Sequence, residues 1–76
     1  MSEKLPRITA SDAIRVLEKA GFSFSRQSGS HMIYKNKAGR RATVPYHAGK
    51  ILHPKVLMSI LRDADLLVEI FKDLLK

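Results

Sequence analysis

Seventy-six residues, 45% of them hydrophobic and 28% charged, hold enough apolar material for one core and none for a second, so the chain reads as a single domain over residues 1–76. Its formal charge is +7 and it has no cysteine, which excludes a disulfide framework and a thiolate metal site and suits a reducing cytoplasm. The segment Met1–Arg7 lacks the apolar run of a secretory signal, and no stretch approaches the ~20 apolar residues that span a bilayer, so neither export nor a membrane partner is expected.

Thr9-Ala10-Ser11-Asp12 has the form of a capping box, with a hydroxyl at the cap and a carboxylate three residues on, and predicts a helix start. Ala13, Ile14, Leu17 and Ala20 then recur at helical spacing until Gly21, a left-handed stop, which sets helix 1 at about residues 10–20. From Phe22 the pattern alternates, with Phe22, Phe24 and Arg26 on one side and Ser23, Ser25 and Gln27 on the other, as in a strand. Ser28-Gly29-Ser30 breaks that strand, and His31–Lys35 resumes it, so the two pair as a hairpin. Asn36–Gly39 is a second turn, and Arg40–Val44 forms a third strand ended by Pro45.

After the loop Tyr46–Lys50, Pro54 suits the first turn of a helix over about 54–63, with Val56, Leu57, Ile60 and Leu61 on its apolar face. Leu66, Leu67, Ile70, Phe71, Leu74 and Leu75 make the tail amphipathic, a third helix or a continuation bent near Asp65. The order α-β-β-β-α, with an extra C-terminal helical segment, predicts an α+β fold: a three-stranded antiparallel sheet, helices on one face, the other face free for a ligand. That arrangement resembles the double-stranded-RNA-binding fold.

Charge is distributed unevenly. Between Glu18 and Asp63 there is no acid, while nine lysines and arginines fall in that window, among them Arg26, Lys35, Arg40, Arg41 and Lys50. Interspersed signs would keep a domain soluble with less self-repulsion, so an all-cationic stretch points to a polyanion such as nucleic acid. A magnesium nuclease needs converging carboxylates, and here Asp12 and Glu18 belong to helix 1, Asp63, Asp65, Glu69 and Asp73 to the C-terminal part, and Glu3 to an N-terminal arm. His31, His47 and His53 are irregularly spaced for zinc. No metal and no other cofactor is expected.

RNA carries its own nucleophile in the 2′-hydroxyl, so cleavage needs only a base near that proton, stabilisation of the phosphate and help for the leaving oxygen. A histidine suits the first task at neutral pH. His31 follows Gly29 and Ser30, where backbone can approach a phosphate closely and amides can donate to it, although position alone equally allows a partly buried strand residue. His47, in the basic loop with Lys50, is the candidate general acid or phosphate contact; His53, before Pro54, reads as a helix-entry residue outside the site, with no role beyond solvent contact or a local cap. Tyr34 and Tyr46 have rings that could stack on bases, with packing the better role for Tyr34.

Taken in order, Leu17–Phe22, Gly29-Ser30-His31, Tyr34, Gly39-Arg40-Arg41, Val44–Lys50 and Leu57–Leu61 make the chain similar to HicA-type toxins, the messenger-RNA interferases of toxin-antitoxin pairs. The resemblance implies the double-stranded-RNA-binding-like fold, metal-independent cleavage of mRNA by a toxin, His31 as the catalytic residue, and a HicB-type antitoxin covering the active face. Gly29, Ser30, Lys35, Arg40, Arg41, His47 and Lys50 are then the expected RNA contacts. Two segments depart from the family pattern: His53-Pro54-Lys55 replaces a glycine-containing turn, and Asp65-Leu66 lacks the glycine usual between the last two helices. The competing reading is a non-catalytic double-stranded-RNA-binding or regulatory module using the same basic surface. A further alternative is an interaction protein whose amphipathic tail docks a partner helix.

Overall fold

The capping box closes as its residues dictate. In the computed structural model, which describes residues 5–76, the Thr9 hydroxyl accepts from the Asp12 amide at 3.3 Å and the Asp12 carboxylate accepts from the Thr9 amide at 3.2 Å. Glu3 lies outside the described residues. Helix α1 runs Ala10–Lys19 and turns Ala10, Ala13, Val16 and Leu17 inward. It stops at Gly21, whose φ of +97° lets the Phe22 amide reach back to the Leu17 carbonyl at 2.9 Å and buries the Phe22 ring.

Three strands follow, β1 Ser23–Ser28, β2 His31–Lys35 and β3 Arg41–Pro45, forming one antiparallel sheet in the order β1-β2-β3. Helix α2 spans Pro54–Ala64 and α3 spans Val68–Leu75. The α+β architecture and its order therefore match the expectation, with small shifts at the ends: β1 starts at Ser23, not Phe22, and Pro45 is the last residue of β3, not its terminator. β3 is an edge strand, where a missing N–H costs least.

One expectation fails. Phe24 and Arg26 do not share a face, because Phe24 pairs with Tyr34 while Arg26 pairs with Ile33, the next residue back along β2. Ser25 is the extra residue of a β-bulge, and it moves everything after it to the opposite face from a simple alternation.

Two apolar clusters hold the layers. One lies between sheet and helices and joins Leu17, Phe22, Tyr34, Ala42, Val44 and Ile60. The other lies among the helices, where fully buried Phe71 of α3 meets Ala13 and Val16 of α1 and Leu57 and Leu61 of α2. The Lys19 ammonium donates to the Leu74 and Lys76 carbonyls at 2.8 and 3.1 Å, fixing the end of α3 to the end of α1.

Both departures from the family pattern find local substitutes. The His53 Nδ1 accepts from the Lys55 amide at 3.0 Å and caps α2, with Pro54 in the first turn. Asp65 ends α2 in the left-handed conformation, φ 58° and ψ 43°, among the described residues the single non-glycine with positive φ. The Leu66 amide then reaches the Leu61 carbonyl at 2.9 Å, and α3 leaves in a new direction as a separate helix.

Candidate nucleic-acid interface

Register and alternation decide what the uncovered face of the sheet carries. Met32, Tyr34, Ala42 and Val44 pack towards the helices, so His31, Ile33 and Lys35 of β2 point the other way, with their partners from either side. The open face thus has three rows: Ser28–His31–Pro45, Arg26–Ile33–Thr43 and Ser23–Lys35–Arg41. Ile33 is 8% exposed although it belongs to neither core cluster, so its neighbours' side chains shield it. Arg26, His31, Lys35 and Arg41 are all exposed around it.

This face is electrostatically unfinished. Lys35 and Arg41 are direct cross-strand partners, an arrangement that destabilises a sheet when the charges are alike. Among the described residues none of the three strands carries an acid; the ion pair Arg15–Asp12 lies on α1, and Lys76–Asp73 lies at the end of α3. An anion laid over the face would relieve the repulsion that the fold itself leaves standing.

His31 sits at the mouth of the β1–β2 hairpin. The two-residue loop Gly29-Ser30 has its positive φ, 58°, at the first central position only, as a type II′ turn requires, and the Gln27 side chain braces it by donating to the Gly29 carbonyl at 2.9 Å. The imidazole of His31 is therefore exposed at the start of a paired strand, not sealed in the interior.

On the other side of His31, Pro45 leads into the loop that carries His47 and Lys50. The Tyr46 amide donates to the Ser30 carbonyl at 2.7 Å, and the Tyr46 hydroxyl lies 3.3 Å from that of Ser11 on α1. The Lys50 amide donates to the His47 carbonyl at 3.1 Å, closing a turn with Gly49 at φ +77°, so His47 and Lys50 come out side by side.

The other expected contacts separate into groups. Lys35 and Arg41 share the open face with His31. The Arg40 guanidinium instead donates to the Asp63 and Arg62 carbonyls at 3.0 and 3.3 Å, satisfying the C-terminal end of α2. Tyr34 is buried, and that burial, with the Glu18 carboxylate as the lesser cause, pushes its phenol up from the ordinary value. Arg26 is the member of the open face that strand alternation did not find, because only the bulge brings it there. Among the described residues no three His, Cys, Asp or Glu side chains converge as a metal site, and no helix is long and apolar enough to cross a membrane.

An antiparallel sheet backed by helices and bare on a cationic, histidine-bearing side defines the class: an α+β domain of the double-stranded-RNA-binding-like kind. Residues 10–66, well over half the chain, match the family profile described as the HicA toxin of bacterial toxin-antitoxin. The chain belongs to the HicA toxin family. No curated protein matches it. The matched stretch covers α1, the sheet and α2 and stops before α3.

Proposed function

We propose that this toxin-family chain is a metal-independent mRNA endoribonuclease, a single domain over residues 1–76, with His31 as general base. The observation that supports the reading best is the exposed His31 imidazole on an acid-free sheet face that also carries Arg26, Lys35 and Arg41. Neutral His31 takes the proton of an RNA 2′-hydroxyl, and that oxygen attacks the adjacent phosphorus as the P–O5′ bond breaks. The products are a 2′,3′-cyclic phosphate and a 5′-hydroxyl, whose oxygen receives a proton from His47 or water.

Amides of Gly29 and Ser30, at the hairpin tip, and the charge of Lys50 stabilise the phosphate at His31, while Lys35 and Arg41, two rows further along the same face, grip the RNA backbone beyond it. Arg40 contributes through the N–H groups not spent on α2. A HicB-type antitoxin covering the open face would silence the enzyme by occupying the same surface, and the site of action is the cytoplasm.

Labelled RNA incubated with the protein and a chelator tests this directly. New ends carrying a 2′,3′-cyclic phosphate are expected, and a strand with 2′-deoxyribose at the cleaved position should resist. Cutting of the deoxy strand, or dependence on added metal, overturns the mechanism. Tight binding with no new ends would favour the non-catalytic RNA-binding module.

A further inference from the structure

Beyond His31 there is a cavity of about 270 Å³ between the end of β3, the turn 47–50 and the start of α2, lined by Pro45, His47, Lys50, Ile51, His53 and Val56 among others. It is far larger than the ~30 Å³ that one water occupies in the liquid, and slightly below the ~300 Å³ at which pockets for whole small ligands begin. We propose that it is a binding pocket for one unpaired nucleobase of the RNA, next to the phosphate held at His31. The inference rests on the ribonuclease reading above and adds to it the part of the substrate that this chain grips besides the backbone.

Three features carry it. The first is chemistry. A base has flat apolar faces and a hydrogen-bonding edge, and unpaired bases are held by stacking on planar or apolar side chains with polar groups at the rim. Pro45, Ile51 and Val56 supply apolar surface and His47 and His53 supply rings. The Nδ1 of His53 is already spent on the α2 cap, which leaves Nε2 to meet a base edge.

The second is placement. Pro45 both lines the cavity and is the direct cross-strand partner of His31, so the pocket adjoins the open face at its histidine end. Lys50 at the same cavity supplies a cation for the phosphate of the nucleotide whose base enters.

The third is preorganisation. The near wall is tied by the Tyr46 amide to the Ser30 carbonyl, and the far wall by the Leu52 amide to the Ile8 carbonyl at 2.8 Å and by the Thr9–Ile51 bridge. That pinning holds Ile51 55% exposed, an apolar side chain kept in solvent at a cavity lip, which a base would cover. A pocket whose walls are already fixed loses little entropy on binding.

The test uses the full chain with His31→Ala, so that RNA is bound without being cut, and short single-stranded oligoribonucleotides in which one abasic position is walked along the strand. Fluorescence anisotropy should show a single position where removing the base weakens binding about tenfold. Ile51→Trp, which fills the cavity mouth from an exposed position, should erase that dependence while its melting temperature stays unchanged. If Ile51→Trp proves unstable, the abasic series alone decides. Equal affinity for every abasic strand, at a salt-dependent Kd, overturns the pocket and leaves the RNA reading standing. No binding of any strand overturns both.

Discussion

The two faces of the sheet share three strands and little else. Towards the helices, Tyr34, Ala42 and Val44 are buried with Leu17 and Ile60, and every contact there lowers the free energy of the fold. On the open side, like charges stand opposite each other at Lys35 and Arg41, and His31 is presented to solvent. One side was built for stability and the other at some cost to it. Residues that weaken a fold without repayment inside it belong to whatever binds from outside.

Substitutions on the two sides should therefore move different quantities. The largest effect on stability belongs to the helix layer: Phe71→Ala removes the fully buried ring that joins all three helices and should cost about 3–5 kcal/mol in denaturant unfolding, much of what so small a domain has. If α3 contributes nothing, the loss will fall to about 0.5 kcal/mol or less, the range of surface changes. At the end of α2, Asp65→Gly relieves a left-handed non-glycine residue and should raise stability by about 0.5–1 kcal/mol. An unchanged midpoint would mean that the Asp65 side chain compensates for its own backbone. The smallest shift in stability, a gain of a few tenths of a kcal/mol, is expected from Lys35→Ala as it ends the repulsion with Arg41. The same change should weaken RNA binding and reduce the steepness of its salt dependence by about one. A loss of stability there, with the salt slope unchanged, would erase the distinction between the faces.

Much of the helix-backed side was legible in the sequence because its signals are local. The Thr9–Asp12 box, the Gly21 stop, the hairpin tip at Gly29 and Pro54 each act within a few residues of themselves. The break near Asp65 was legible too, although only the backbone reveals that Asp65 adopts the conformation a glycine would take. What escaped was set at a distance or by an insertion. The bulge at Ser25 reverses the face of Arg26, and no count of period two can register one extra residue. Arg40 looked like part of a basic surface, yet its guanidinium finds the α2 carbonyls 22 and 23 residues further along the chain. The cavity beside His47 and Lys50 likewise depends on Leu52 pairing with Ile8 across the fold.

Wild type and His31→Ala, compared for RNA cleavage rate, RNA affinity and melting temperature, test the central claim most directly. The rate should fall by about 10²–10⁴-fold, as loss of a general base predicts, with affinity and melting temperature nearly unchanged. Cleavage at an undiminished rate by a folded His31→Ala protein would contradict the account.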